Sequence, residues 1–183
     1  MSFVTIRGTA FGQTAVLWGT QRERPTILRV VLSRPGLSAD RLVRKSFPGF
    51  RPSSCPEIDR VADRIEAFLS GEYVRFSLAI TRLDLCSGFQ QRVLRAEHGI
   101  PRGKVSSYGR LAGRIGNPNG ARAVGTALAT NPFPIIVPCH RAVRSGGAIG
   151  GYQGGTAMKR ALLEREGNVF DRSGRIVGPN WHY

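Results

Sequence analysis

Cys139 directly precedes His140 and Arg141 at the end of a short apolar run. A thiolate is a strong nucleophile, and neighbouring imidazole or guanidinium groups favour the thiolate over the thiol. Pro138, immediately before the cysteine, fixes its own φ and has no backbone donor, so it stiffens this segment. The pattern predicts covalent chemistry at Cys139. For a Cys–His pair taken alone, a buried structural cysteine at a strand end is the alternative.

A carboxylate behind the imidazole would complete a relay. Glu166 is the candidate, because it lies at the end of a helix predicted for residues 156–166. A carboxylate in this position fixes the imidazole tautomer and stabilises its cation. We expect an extended backbone at Cys139 and His140, so their side chains should point to opposite faces. Their coupling is therefore expected to pass through a bound water.

Charge is distributed unevenly along the chain. The formal net charge is +15, and residues 98–163 contain nine Lys and Arg but no Asp or Glu. This acid-free window includes Cys139, so we expect a polyanionic partner, most simply nucleic acid. The sequence contains no amphipathic basic helix of the kind that binds a membrane surface. No run of residues is long and apolar enough to span a bilayer. A soluble, intracellular protein is expected.

Two short helices joined by a tight turn are predicted inside the acid-free window. Ser106 or Ser107 can cap the first helix, the turn is at 117–120, and the second helix covers 121–129. This arrangement is typical of a helix-turn-helix. The second helix exposes one long side chain among small ones, which would let it approach DNA closely; a small-residue packing helix is the alternative. Its predicted DNA-contacting residues are Ala121, Arg122, Ala123, Gly125 and Thr126.

The remaining elements predict an α+β protein. Strands are expected at 14–18, 26–32 and 74–80, a loop at 47–54, and helices at 56–70 and 89–97. We predict a scaffold domain at 1–84, a DNA-binding and chemical domain at 87–170, and a C-terminal tail at 171–183. A glycine-rich loop at 144–155 could pass close to a flat ligand, with Tyr152 stacking on it or anchoring the loop.

Together these residues resemble the O6-alkylguanine-DNA alkyltransferase family, also called methylated-DNA–protein-cysteine methyltransferases. The resemblance covers about residues 89–167, and it implies a ribonuclease H-like first domain and a winged helix-turn-helix-like second domain. Five elements carry it in order: Ser107-Tyr108, Ala121-Arg122-Ala123-Val124-Gly125, Asn131-Pro132, Pro138-Cys139-His140-Arg141 and Leu163-x-x-Glu166-Gly167.

The resemblance implies transfer of an alkyl group from a flipped guanine in duplex DNA to Cys139. Arg122 would fill the gap left in the duplex, and Tyr108 would favour extrusion and protonate the leaving base. His140 would act as a water-mediated base oriented by Glu166. Asn131 would brace the turn after the recognition helix, and Arg141 is counted with the DNA-contacting residues. The implied substrate pocket is lined by Pro134, Val137, Ala142, Ile149, Gly150, Tyr152 and Gln153.

Further expectations concern cofactors, metal sites, partners and localisation. The resemblance implies no cofactor and a single turnover, because a thioether is not reversed by thiol exchange. With Cys55 and Cys86 but no histidine before His98, no metal site is predicted. The partner is double-stranded DNA carrying alkylated guanine, with O4-alkylthymine as a second substrate. The protein should be monomeric, and cytoplasmic and nucleoid-associated in a prokaryote or nuclear in a eukaryote.

A non-catalytic sensor of alkylated DNA is the main alternative function. The family's sensors replace the motif cysteine, whereas Cys139 is present. A cysteine hydrolase would need a distant histidine as its base, and it would not explain a basic helix-turn-helix. A structural nucleoid protein would explain the charge but not the Cys-His-Arg element.

Overall fold

The computed structural model describes all 183 residues. They form two compact units: unit 1 comprises residues 1–83 and 132–136, and unit 2 comprises 84–131 and 137–183. The segment 132–136 thus groups with unit 1, and the C-terminal residues 171–183 group with unit 2. The domain division at 84–87 stays a prediction. None of the helices is long and apolar enough to cross a membrane.

A four-stranded mixed sheet forms the centre of unit 1. Its strands are β1 (Ser2–Thr9), β2 (Gly12–Gln21), β3 (Arg24–Leu32) and β4 (Arg51–Pro52), in the order β3-β2-β1-β4. The first three are antiparallel neighbours, and β4 runs parallel to β1. The predicted strands at 14–18 and 26–32 lie within β2 and β3. Strand β1 was not predicted, and β4 lies inside the predicted loop 47–54.

Two helices pack against this sheet. Helix α1 (Ala39–Ser46) begins at Ser38, whose side chain accepts a hydrogen bond from the Arg41 backbone N–H. Helix α2 (Pro56–Ser70) has proline in its first turn and ends at Gly71, which takes a φ of 108°. The predicted helix at 56–70 is therefore confirmed. Helix α1 was not predicted.

The predicted strand at 74–80 is wrong. Exposure does alternate along this segment, but residues 72–77 are irregular and Leu78–Ile80 form a 3-10 turn. Only an isolated bridge joins Thr81 to Ile27 of β3. Alternating side chains need an extended backbone, whereas a strand also needs a partner for its backbone hydrogen bonds.

Unit 2 is mainly helical. Its helices are α3 (Gly88–His98), α4 (Tyr108–Arg114), α5 (Ala121–Ala129) and α6 (Thr156–Arg165). Ser107 caps α4 by accepting a hydrogen bond from the Arg110 backbone N–H, and it also ends the short strand β5 (Ser106–Ser107). Strand β5 runs parallel to β6 (Ala142–Val143), the two-residue strand that follows Cys139–Arg141. The helices predicted at 89–97, 121–129 and 156–166 are confirmed with small differences at their ends.

The C-terminal segment packs on unit 2. His182 donates its backbone N–H to the Val105 carbonyl at 2.8 Å, and Trp181 packs on a buried apolar cluster. That cluster consists of Val105, Val143, Leu163 and Ile176. The combination of a mixed sheet with six helices confirms the α+β class.

Candidate active site

Cys139 lies in a 3-10 turn, so the expected extended backbone is wrong. Pro138 takes φ −77° and ψ 58°, and the turn covers Cys139–Arg141. The Cys139 backbone N–H donates to the Val137 carbonyl, and the Arg141 N–H donates to the Pro138 carbonyl, both at 2.8 Å. Successive side chains of a 3-10 turn point about 120° apart, instead of alternating between two faces. All three side chains of this turn are buried.

The turn brings His140 and Glu166 together, although 25 residues separate them. His140 Nε2 lies 3.1 Å from Glu166 Oε1, and the His140 ring is fully buried. Glu166 is the residue that ends α6, so the helix terminus places its carboxylate beside the imidazole. Because Glu166 engages Nε2, any proton transfer from the thiol to this ring must use Nδ1.

Arg141 is held in the interior, which contradicts its prediction as a DNA-contacting residue. Its Nε lies 2.9 Å from Glu166 Oε2, and its Nη2 lies 2.6 Å from Glu166 Oε1. Its Nη1 donates to the Ile100 carbonyl at 2.6 Å. All three guanidinium nitrogens of Arg141 are engaged by these partners, so the group is not available to bind a phosphate. Arg141 instead orients Glu166 through a two-point ion pair.

The electrostatics of the resting site favour a neutral thiol. Burial raises the pKa of Cys139 to about 12, and a hydrogen bond from the Asn131 side chain only partly opposes this. A neighbouring cation, Lys159, does favour the thiolate, but burial outweighs its effect on the pKa of Cys139. Burial also lowers the pKa of His140, which leaves the imidazole neutral at pH 7 and able to accept a proton.

Glu166 stays ionised despite its burial. Removal from water would raise its pKa, but hydrogen bonds and charges from His140 and Arg141 outweigh this and lower it to about 2. The permanent charge of Arg141 secures the carboxylate. An ionised Glu166 next to His140 would stabilise the imidazolium formed when the ring takes up a proton.

Asn131 and Gln153 connect the end of α5 to the glycine-rich loop. Asn131 is fully buried, and its Nδ2 donates to the Val137 carbonyl at 3.3 Å. Gln153 Nε2 donates to the Asn131 carbonyl at 2.7 Å. Both contacts position backbone next to Cys139.

Tyr108 and Tyr152 border the same region from α4 and from the glycine-rich loop. A Cβ atom at Gly150, whose φ is +70°, would lie 2.8 Å from the Tyr108 hydroxyl. Burial raises the pKa of Tyr108, so its hydroxyl keeps its proton. The Tyr152 ring meets the His140 ring edge-on at 6.3 Å. The absence of a side chain at Gly150 thus allows Tyr108 to approach the loop.

Helix α5 separates a packing face from an exposed face. Val124, Ala127 and Leu128 are buried. Arg122, Ala123 and Thr126 are exposed, whereas Ala121 and Gly125 are half-buried. The exposed face therefore has the small-residue surface with one long cation that the sequence predicts.

The other predicted pocket residues lie in different parts of the structure. Val137 and Ala142 are fully buried next to the Cys139 turn. Ile149 packs against the apolar cluster of unit 2. Pro134 groups with unit 1. No group of three or more His, Cys, Asp or Glu side chains is arranged to hold a metal ion.

Two buried ionisable residues were missed by the sequence analysis. Lys159 on α6 has no exposed surface, and its Nζ donates to the Ala142 carbonyl at 2.6 Å and to the Gly151 carbonyl at 3.3 Å. Glu97 on α3 is also fully buried. One signal was available, because Glu97 is the last acid before the acid-free window.

Comparison with known proteins assigns the family. Residues 88–168 match the profile of the 6-O-methylguanine DNA methyltransferase DNA-binding domain. A methylated-DNA–protein-cysteine methyltransferase of Mycobacterium leprae is 41% identical over 128 residues, which cover 69% of this chain and 75% of the relative. The chain belongs to the methylated-DNA–protein-cysteine methyltransferase family.

Other members of this family extend the comparison. A methylated-DNA–protein-cysteine methyltransferase of Methanothermobacter thermautotrophicus is 44% identical over 110 residues, covering 60% of this chain and 61% of the relative. The crystal structure of Mycobacterium tuberculosis OGT in complex with DNA superposes with a TM-score of 0.70 at 32% identity. That match covers 91% of this chain and 92% of the other. The family resemblance seen in the sequence is confirmed.

Proposed function

We propose that the protein repairs DNA by direct reversal, moving the alkyl group from O6 of guanine in duplex DNA to Cys139 in one turnover. The observation that carries this proposal is the buried Cys139 turn, with His140 held against an ionised Glu166. The family, and the solved complex of the mycobacterial protein with DNA, support DNA as the partner. O4-alkylthymine in duplex DNA is proposed as a second substrate, and the protein is proposed to act as a monomer.

The chemistry is an in-line displacement at the alkyl carbon. The Cys139 Sγ–C bond forms as the C–O6 bond breaks, and the electron pair of that bond goes to the guanine. The thiol proton passes through a water to His140 Nδ1, and Glu166 stabilises the resulting imidazolium. Tyr108 donates a hydrogen bond, and then its proton, to the leaving base. The imidazolium returns its proton through solvent to the Tyr108 phenolate, so the net products are alkylcysteine and neutral guanine.

The high pKa of the resting thiol fits a protein that acts once. A thiol reacts far more slowly than a thiolate with oxidants and soft electrophiles. Burial of Cys139 therefore preserves it until a flipped base enters the site. A thioether cannot be removed by thiol exchange, so each molecule is consumed by its substrate.

DNA is proposed to bind at the exposed face of α5. Unit 2 contains 14 Lys and Arg but only 5 Asp and Glu, a net charge of +9. Two of those acids, Glu97 and Glu166, and two of those bases, Arg141 and Lys159, are buried, so the surface of unit 2 keeps the same net charge. Ala121, Ala123, Gly125 and Thr126 would allow close approach, and Arg122 would occupy the space of the extruded base.

Intact-protein mass spectrometry tests the reaction. After incubation with a duplex carrying one O6-methylguanine, the protein should gain one methyl group, mapped to Cys139, in stoichiometric amount. Cys139→Ala should gain none, whereas Cys55→Ser, which alters a half-buried cysteine outside the site, should react normally. Tight binding of the lesion without a change of mass would instead identify a non-catalytic sensor.

A second experiment tests the role of Arg122. Arg122→Ala should slow methyl transfer from duplex DNA by about ten- to a hundredfold, because extrusion costs a few kcal/mol that the inserted side chain offsets. Transfer from a single-stranded oligonucleotide, which needs no extrusion, should change little. Arg60→Ala removes another exposed arginine, on unit 1, and is the matched control. Equal losses on both substrates would show that Arg122 does not act in base extrusion.

The absence of side chains at Gly150 and Gly151 suggests tolerance of bulky groups. Cys139 should then react with O6-benzylguanine in addition to the methylated base. Reaction with the methylated base alone would show that the loop is closed to larger adducts. A parallel assay with O4-methylthymine in a duplex measures the second proposed substrate.

A further inference from the structure

Glu97 is a carboxylic acid in the interior of unit 2. It lies in the last turn of α3, has no exposed surface, and neither carboxyl oxygen makes a well-formed hydrogen bond. The Ala142 backbone lies next to the carboxyl group. A buried carboxylate without donors is unfavourable by several kcal/mol, so such a group either takes up a proton or lies near a positive charge.

Positive charge is available from Lys159 on α6. Lys159 Nζ is bound to the Ala142 carbonyl, and the charges of Lys159 and Arg141 both act on Glu97. Helix α3 also contacts the Cys139–Arg141 turn, and Ile100, just beyond its end, accepts a hydrogen bond from Arg141. Glu97 and Lys159 therefore share one buried region around Ala142.

The reacting groups belong to the same electrostatic cluster. Burial is the main reason that the pKa of Cys139 is raised; Glu97 adds to this rise and Lys159 opposes it. The pKa of Tyr108 is raised by burial and then by Glu97. Several charged and titratable groups surround Glu97. They are Lys159 from α6, Cys139 and Arg141 from the turn, Tyr108 from α4, Arg144 near Lys159, and Arg95 and His98 on α3 itself.

We propose that Glu97 is a positioning residue for alkyl transfer, forming with Lys159 a buried, electrostatically coupled pair that holds positive charge next to Cys139. This proposal rests on the proposed function of Cys139. The pair is distinct from His140, which receives the thiol proton, and from Glu166, which orients His140.

The proposal predicts an alkaline limit for the reaction. Burial raises the pKa of Glu97 to about 8 and lowers that of Lys159 to about 8. Below this pH the pair holds a neutral acid and a cation, and its net positive charge stabilises a thiolate. As pH rises through this range the pair loses its first proton and its net charge falls from +1 to zero, and loss of the second proton takes it toward −1. The rate should rise with pH as the thiol ionises, then level off or fall from near pH 8.

Single-turnover methyl transfer at saturating duplex, measured from about pH 6 to about pH 10, tests this. Glu97→Gln should move the break to lower pH, because Lys159 loses a carboxylate that helps it hold its proton. Lys159→Met should move the break to higher pH, because Glu97 loses a cation that lowers its pKa. Each shift should be about one pH unit. Opposite shifts support the pair, whereas an unchanged break with a uniformly lower rate would overturn it.

Two further variants keep the test decisive. Glu164→Gln removes the same charge from a half-exposed side chain of α6, and its profile should match that of the unaltered protein. Glu97→Leu fills the same space without polar atoms, so it should also move the break in the pH profile to lower pH. It replaces Glu97→Gln in the test if the glutamine variant folds poorly. A break that stays in place in Glu97→Leu would overturn the proposal.

A spectroscopic titration separates this inference from the alkyl-transfer function. In protein labelled at the glutamate side-chain carboxyl carbon, the resonance that Glu97→Leu lacks should titrate near pH 8 and move upward in Lys159→Met. Titration at the ordinary value for glutamate would overturn the pair. This measurement needs no DNA. If methyl transfer fails but Glu97 still titrates near pH 8, the proposed function is rejected and the buried pair is established.

Discussion

The two units bury different kinds of polar side chain. The buried polar residues of unit 1 are three threonines, Thr5, Thr14 and Thr81. Two of them donate hydrogen bonds to backbone carbonyls, which makes burial of a hydroxyl inexpensive. Unit 2 buries Glu97, His140, Arg141, Lys159 and Glu166 in addition to Cys139.

The ion pairs of unit 1 lie at its surface. Arg7 binds Asp59 and Asp63 with side chains that are about one third to two thirds exposed. Burying a charge costs several kcal/mol unless it is paired. The concentration of buried ionisable side chains around Cys139 therefore marks unit 2 as the place where protonation states matter.

The largest expected effect comes from breaking the buried pair of Arg141 and Glu166. Arg141→Ala should destabilise the protein by about 3–5 kcal/mol, because it leaves a carboxylate buried without its cation. Urea unfolding at pH 7 measures this. Arg160→Ala, which breaks the exposed Arg160–Glu164 pair of α6 and removes the guanidinium from the Phe170 ring, is the control and should cost no more than about 1 kcal/mol. A small loss in both variants would show that water reaches Glu166.

The second effect is the acid dependence of that same pair. The pKa of Glu166 falls to about 2 in the folded protein, so its contribution to stability is present above the ordinary glutamate value and is lost as pH falls toward 2. The contribution is on the order of 3 kcal/mol. Glu166→Gln should be clearly less stable than the unaltered protein at pH 6. The difference should shrink as pH approaches 2, and a constant difference would contradict the assignment.

A third effect separates two neighbouring glycines. Gly150→Ala places a methyl group against the Tyr108 hydroxyl at a φ of +70°, whereas a Cβ at Gly151 meets nothing within 4 Å. Strain at such a position costs about 1–3 kcal/mol, so methyl transfer should slow about tenfold or more in Gly150→Ala. Gly151→Ala should stay within about twofold, or about 0.4 kcal/mol. Equal rates for the two variants would show that Tyr108 need not approach the loop.

The smallest effect is expected at the surface of unit 1. Arg7→Ala removes two ion pairs but should lower the unfolding free energy by less than about 1 kcal/mol, because solvent screens them. The methyl-transfer rate should not change. A loss comparable to that of Arg141→Ala would show that buried and exposed ion pairs do not divide the molecule as inferred.

Local rules predicted much of unit 2. Ser107 as a helix cap, the tight turn before α5 and the apolar stripe of α5 each depend on residues close in sequence. The same rules failed at 74–80, where alternation was real but no strand lay alongside. They also failed at Cys139, where Pro138 turns the chain instead of extending it.

Contacts between distant parts of the chain were the harder problem. Glu166 was correctly expected near His140, because a carboxylate partner for imidazole is a common requirement of such chemistry. Arg141 was misassigned, since a motif residue gives no sign of whether it faces solvent or the interior. Glu97 and Lys159 were passed over because each fits an ordinary amphipathic helix when read alone.

The sequence alone determined the proposed nucleophile, the helix that is proposed to meet DNA and the acid-free charge pattern, because these depend on residue type and short spacing. Only the tertiary structure decided the ionisation of those groups. Burial raises the pKa of Cys139, Arg141 lowers that of Glu166, and Glu97 and Lys159 meet around Ala142. The physical reason is that desolvation and Coulomb energy depend on three-dimensional surroundings, which residues far apart in the chain supply.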